Sequence, residues 1–313
     1  MQNFPFCKNF RKILLILQAN SNNSRLSTPM SEHPITAEAS KIAERGLMVF
    51  DNIHDLPQKG EAFTTAFMTV ALTIEGKVKA TCDMKDAIFH RHDVAVITPN
   101  HILCMREFSS DYHAFLIVIS PAYYQELKRR FPNLFRDISH YQYRQDLPLK
   151  SYQFERVHNL FKVIRDISND LNATHRLFML GNMIETLFLC LKDFRKENGI
   201  AEHVPSMNEE LFNRFHQDIV EHYHENREVK FYAERQHLSP KYFATVIKKQ
   251  TGMYAHEWIN NYTIIQAKRL LLHERHLSVQ QVARRIGFTD QAVFSRFFRH
   301  ITGITPSQYR SKG

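Results

Sequence analysis

The 313 residues include 41 Lys and Arg, 32 Asp and Glu and 18 His, a formal net charge of +9, and 43% of the chain is hydrophobic. That length suits two separately packed domains, and that composition excludes fibrous and wholly disordered chains. The longest aliphatic run, Ile13 to Leu17, is far short of the ~18 residues of a membrane span and of the ~7–15 residues of a signal-peptide core. A cytoplasmic protein with no membrane partner is therefore expected.

Residues 1–30 open with a short basic and aliphatic stretch and pass into the polar run Ala19 to Ser24, too poor in apolar residues to pack, so disorder is expected there. Met30, where the character of the chain changes, is a candidate start codon. From Leu47 to Ser120 the pattern is β-like. Phe63 to Ile74 is rich in β-branched and aromatic residues, and Val94 to Ile97 and Phe115 to Ile119 are short apolar runs. Glu75-Gly76-Lys77, His92-Asp93 and Thr98-Pro99-Asn100 supply turn signals between them. Strands this short and this closely spaced suggest a small barrel or sandwich.

Two groups of residues in this region invite a metal reading. Cys7, Cys82, Cys104 and Cys190 are scattered, with no Cys-x-x-Cys pair and no His at zinc-ligand spacing, and read as ordinary reduced thiols. His90, His92, His101 and His113 cluster in the β region and open the alternative of a cupin-type metalloenzyme. Such a site places a Glu a few residues after a His-x-His, whereas Val94-Ala95-Val96-Ile97 follows here. Surface or strand-end roles fit these histidines better, and a solvated helix fits His222 and His224. No metal, cofactor or enzymatic activity is expected.

After Pro121 the period becomes helical, over Ala122 to Arg130, Phe154 to Leu171 and Arg176 to Arg195. The third segment carries Leu177, Leu180, Ile184, Leu187, Leu191 and Phe194 at alternating steps of three and four, the spacing of two helices packed along their length. This seam is either a seat on its own domain or a homodimer interface, and Phe178 and Phe188 give the helix a second apolar edge that would let it do both. Glu197-Asn198-Gly199 carries stop and breaker residues. The organisation expected is α+β: a β-rich domain with trailing helices over 31–198, a linker over 199–206, and an all-α domain over 207–313.

The charge is concentrated in that last domain. From Val229 to Gly313 there are 14 Lys and Arg against 4 Asp and Glu, leaving 27 against 28 in residues 1–228. A basic module joined to a neutral one is the electrostatic footprint of polyphosphate binding. Within it, Ala233 to Gly252 overlays Ala283 to Gly303. Phe243 matches Phe294, Gly252 matches Gly303 and Trp258 matches Tyr309 at an offset of 51, while upstream of the turn the offset is 50. One unit has been duplicated, with a one-residue slip at the turn.

Each copy reads as helix, tight turn, helix. Ser278 with Gln281 forms a capping box, Ile286-Gly287-Phe288 breaks the helix, and Thr289 or Asp290 can cap the next; in the first copy Ser239 is the candidate cap and Pro240 takes the first helical position. The second helix of each copy has two faces. Phe294, Phe297, Phe298 and Ile301 point inward, with Gln291, Ala292, Ser295, Arg296 and Arg299 on the outer side. Phe243, Val246 and Ile247 repeat the inner face, and Ser239, Lys241, Ala244, Thr245 and Lys248 the outer one. An outer face of small, hydroxyl and cationic residues suits a DNA major groove. For either helix alone an ordinary solvated face is the equal alternative; two matching copies in a basic segment favour sequence-specific binding of double-stranded DNA. A nonspecific architectural binder shares the charge but has no need of two matched outer faces.

Leu238-Ser239-x-x-Tyr242-Phe243, Ile247-Lys248-x-x-x-Gly252, Ile286-Gly287-Phe288-x-Asp290 and Phe294-Ser295-Arg296-x-Phe298-Arg299-x-x-x-Gly303-x-Thr305-Pro306-x-x-Tyr309-Arg310 resemble the DNA-binding domain of the AraC/XylS family of transcription regulators, over about a third of the chain. Ala292-Val293-Phe294 departs from the family's common Ser-Tyr-Phe. The resemblance implies a linker helix, here about His256 to His273, with Trp258, Ile259, Tyr262, Ile265 and Leu270 available for packing. It also implies a cupin-like N-terminal barrel with dimerising helices, a small-molecule effector and RNA polymerase as compatible partners. Arg310, beyond the recognition helix, is assigned to the DNA backbone.

Overall fold

In the computed structural model, residues 41–53, 62–64, 67–83, 85–135, 147–200 and 206–312 are described. The expectations for residues 1–30 and most of the linker fall outside them. The chain divides into two compact units, residues 1–204 and 205–313.

Strands in the first unit are β1 (Leu47–Ile53), β2 (Ala62–Thr64), β3 (Met68–Glu75), β4 (Lys77–Cys82), β5 (Lys85–His90), β6 (Asp93–Ile97), β7 (Ile102–Phe108), β8 (His113–Ile119) and β9 (Leu147–Pro148). They form two antiparallel sheets, β1-β8-β3-β6-β9 and β2-β7-β4-β5. The expected turns fall where the backbone turns left-handed: Gly76 at φ 71°, His92 at 72° and Asn100 at 73°. The run Phe63 to Ile74 contributes to two strands, β2 and β3.

Both faces of the first sheet are covered, so β8 is apolar at almost every position instead of alternating. Ile117 and Ile119 face the helices; Leu116 and Val118 join Phe63, Phe67 and Leu103 between the sheets. The helices are α1 (Pro121–Arg130), α2 (Ser151–Asn169) and α3 (Arg176–Glu197). Ser120 caps α1 by accepting from the Tyr123 N–H.

The leucine seam of α3 is core. Leu180, Ile184, Leu187, Leu191 and Phe194 are all buried in the cluster that holds Val157, Phe161 and Ile164 of α2 and Val70 and Ile117 of the sheet. Of the six seam residues only Leu177 is exposed. The expected homodimer interface is therefore corrected: five of its side chains are consumed by the unit's own packing, because α2 and the sheet occupy that face. The large apolar side chains that α3 shows to solvent are Leu177, Phe178, Met179 and Leu189. No helix among the described residues is long and apolar enough to cross a membrane.

The second unit is helical among its described residues: α4 (Met207–His222), α5 (Val229–Arg235), α6 (Pro240–Thr251), α7 (Ala255–His273), α8 (Val279–Arg285), α9 (Gln291–Thr302) and α10 (Pro306–Lys312). Helix α7 packs on α4 and α6 and on α8 and α10. Much of it is buried: Trp258, Ile259, Tyr262, Ile265 and Leu270 are inside, and so are Ile264, Ala267 and Leu271, with the polar Thr263 and Gln266. Its 19 residues span about 28 Å at ~1.5 Å per residue.

Candidate nucleic-acid interface

Helices α6 and α9 are built alike from their caps inward. Ser239 Oγ accepts from the Tyr242 N–H, with Pro240 in the first turn. Asp290 accepts from the Ala292 and Val293 N–H groups at 2.6 and 2.9 Å, which holds its carboxyl below the usual carboxylate range, helped by nearby Arg296. At the far ends Gly252 (φ 77°) and Gly303 (φ 78°) cap in the left-handed region, their N–H groups donating to the carbonyls of Lys248 and Arg299, both at 2.8 Å. Thr251 and Thr302 hydroxyls donate to the carbonyls of Ile247 and Phe298.

The turns before these helices locate the slip in the repeat. Leu238 and Phe288, 50 residues apart, donate their N–H groups to the carbonyls of Ala233 and Ala283. The caps Ser239 and Asp290 are 51 apart, so Thr289 is the extra residue. At matching places His237 (φ 57°) and Gly287 (φ 84°) make the left-handed turn. Only the second copy needs glycine for space, because a Cβ there would lie 2.7 Å from the carbonyl carbon of His224 and nearer still to its oxygen.

Inner faces are buried: Phe243, Val246 and Ile247 in α6, Phe294 and Phe298 in α9. Phe243 meets Phe215 edge-on at 5.0 Å, and Phe298 meets Phe294 and Tyr309 at 5.7 and 5.6 Å. Phe297 and Ile301, expected inside, are only half-buried at the edge of the stripe. On the outer faces, Ser239, Lys241, Thr245 and Lys248 are exposed and Ala244 is half-buried; Gln291, Ala292, Arg296 and Arg299 are exposed and Ser295 is half-buried. Thr245 donates to the Lys241 carbonyl at 2.9 Å, leaving its oxygen as an acceptor, and Lys248 Nζ sits 3.5 Å above the Tyr254 ring. Both helices end in basic turns, Lys248-Lys249 and Arg299-His300, which the helix dipole favours.

Arg310 does not join this face. It lies inside α10, half-buried, with Nε and Nη2 shielded from solvent and without a hydrogen-bond partner. This placement does not support the expectation that it reaches the DNA backbone, since Nε and Nη2 are shielded within the unit.

Sequence reasoning missed Arg227. Its guanidinium stacks 3.7 Å from the centre of the Phe288 ring and donates to the carbonyls of Ile286 and Gly287, fastening the loop before α5 to the turn before α9. Burial lowers its pKa from the usual arginine value. The contact spans 60 residues, so no local signal announces it.

The four histidines of the metalloenzyme alternative are dispersed. His90 is exposed near Asp93, His92 stacks on Phe154 at 3.9 Å, and His113 lies edge-on to Phe115. Of these four, only His101 joins a group that could hold a metal ion, together with Cys82 and Asp83.

A helix-turn-helix domain model matches residues 232–312, from α5 to the end of α10. The regulatory protein PocR of Salmonella typhimurium is 28% identical over 127 residues, 40% of this chain and 42% of its own. The arabinose operon regulatory protein of Escherichia coli is 30% identical over 131 residues, 42% of this chain and 43% of its own. The matched segment is similar to the DNA-binding domain of AraC/XylS family regulators. The chain spans about four-tenths of the length of these relatives. Among solved structures, ToxT from Vibrio cholerae is similar at 12% identity over 85% of this chain and 98% of that one, with a TM-score of 0.49.

Proposed function

We propose that this protein is a sequence-specific, double-stranded-DNA-binding transcription regulator, with α5–α6 and α8–α9 as two helix-turn-helix units whose second helices enter successive major grooves. The observation that carries the reading is the duplicated outer face: two helices, each opened by a side-chain cap and closed by a left-handed glycine, buried on one side and presenting Lys241, Thr245 and Lys248 or Arg296 and Arg299 on the other. A nonspecific binder needs the charge but not the copying of face and caps. Helix α7, with an estimated length of about 28 Å, supports a spacing near one DNA turn of roughly 34 Å between the two readers. In this reading the two-sheet unit is cupin-like and supplies control, through a small-molecule effector or self-association. A homodimer would use the exposed side of α3 around Phe178 and Leu189 rather than its buried seam. RNA polymerase is the further partner of a regulator of this kind.

Selection of binding sites from genomic fragments, followed by titration of variants on the selected site, tests the proposal. Arg296 is assigned to base edges and Lys248 to phosphate. Arg296→Ala is expected to cost ~1–3 kcal/mol on the selected site and relax preference at one or two base pairs, while Lys248→Ala weakens selected and random duplex alike. Enrichment of no site, or an Arg296→Ala protein with unchanged preference, would overturn the assignment.

A further inference from the structure

Away from the DNA-facing helices, the fold of the first unit brings together three side chains with the donor chemistry of a metal site. Cys82 ends β4, Asp83 follows in the β4–β5 turn, and His101 stands immediately before β7. One ligand atom from each lies within 4.8 Å of the others. Cys82 packs against the core between the sheets and carries no disulfide. Side-chain exposure is only 10% for His101 and 13% for Asp83.

The arrangement is fixed by backbone rather than by chance approach at a surface. The Asp83 N–H donates to the Ile102 carbonyl at 2.8 Å, and Asp83 Oδ1 accepts from the Ile102 N–H at 2.9 Å. Its other oxygen, Oδ2, meets His101 Nδ1 at 2.5 Å. Asp83 holds φ 48°, a left-handed conformation that aspartate tolerates better than most residues. Cys82 is paired with Leu103 across β4 and β7, so all three residues ride on the same strand pairing.

We propose that Cys82, Asp83 and His101 form a site for one divalent metal ion of the zinc type. Thiolate and imidazole select borderline-soft metals over calcium or magnesium, which take oxygen donors. Three protein ligands leave the fourth tetrahedral position to water or to another ligand. The charges balance: one thiolate and one carboxylate neutralise the dication, so the shielded site carries no net charge. Binding releases the Cys82 thiol proton, and His101 Nδ1 gives up the proton it shares with Asp83, leaving a neutral imidazole protonated at Nε2. The metal takes that second proton's place, and the imidazole and carboxylate open from hydrogen-bond distance to roughly 3.3–3.5 Å, the separation set by metal bonds of ~2.0–2.2 Å. Occupancy would tie the β4–β5 turn to the start of β7, and so stabilise the first unit and not the second.

The test uses the full chain, reduced with a non-chelating phosphine and stripped of metal. Zn²⁺ titrated against a chromophoric chelator should show one saturable equivalent per chain, and Co²⁺ should give the near-ultraviolet charge-transfer band of a thiolate ligand. Cys82→Ser should abolish that band and weaken Zn²⁺ binding at least tenfold, with Asp83→Asn weakening it too. Zn²⁺ should raise the thermal midpoint of wild type but not of Cys82→Ser. His222→Gln, in the second candidate group of Asp218, Glu221 and His222, should leave all of this unchanged. Absence of a 1:1 endpoint or of the Co²⁺ band in wild type overturns the proposal whether or not a variant folds. So does a band kept in Cys82→Ser or lost in His222→Gln.

Discussion

Gly287 and Gly303 occupy matching left-handed conformations in different surroundings, and together they separate backbone strain from steric conflict. Alanine at either position imposes φ near 80° on a residue with a Cβ, at a cost of ~1–2 kcal/mol. At Gly303 nothing lies within 4 Å of the added carbon, so that cost is the whole effect. At Gly287 the carbon meets the His224 backbone. The loop before α5 must move, adding about 1–3 kcal/mol of the kind seen on overpacking. Arg227 is bonded across the same junction and moves with it. Gly303→Ala should therefore cost ~1–2 kcal/mol and Gly287→Ala roughly 2–5 kcal/mol. The chain's single tryptophan, Trp258, is fully buried in α7, so its fluorescence during urea unfolding reports on the second unit within the full-length protein. Equal losses for the two variants would refute the close approach of the Gly287 turn to His224.

Residues 205–313 expressed alone should fold and bind duplex DNA, with affinity falling steeply as salt rises from ~50 to ~200 mM; an unchanged affinity would rule out phosphate contacts by the basic helix ends. Phe298→Ala removes a fully buried ring packed on Phe294 and Tyr309 and should cost ~3–5 kcal/mol, read by the same fluorescence assay. Leu180→Lys combined with Leu187→Lys places two ammonium groups in a sealed core, so loss of the folded first unit is expected by circular dichroism. A soluble, folded monomer would instead restore the seam as an interface.

Local chemistry made the second unit legible. Caps at Ser239 and Ser278, the glycines at 252 and 303 and the phenylalanine stripes act over a few residues, so their spacing in the chain is their spacing in the helix. The same proximity rule failed where partners are distant. The seam from Leu180 to Phe194 has the period of a helix packing on something apolar, but only the fold says that α2 and the sheet are that something. The hairpin of β4 and β5 escaped notice because β5 alternates exposed and half-buried residues with two charges at its start. Arg227 meets a turn 60 residues away and Cys82 meets His101 across a strand pairing, and neither contact leaves a local signal in the sequence.

Helix α7 has most of its apolar surface covered, since one end is claimed by Phe212 and Tyr223 and the other by the helices of the second copy. Unfolding either copy would strip the buried apolar side chains of this helix bare, at a cost in exposed hydrocarbon that the surviving copy cannot offset. The descendants of the duplication have thereby become interdependent: each lacks a complete interior of its own, and heat or urea should melt them together in one cooperative transition. A chain severed within α7 would yield two fragments, each with half a core.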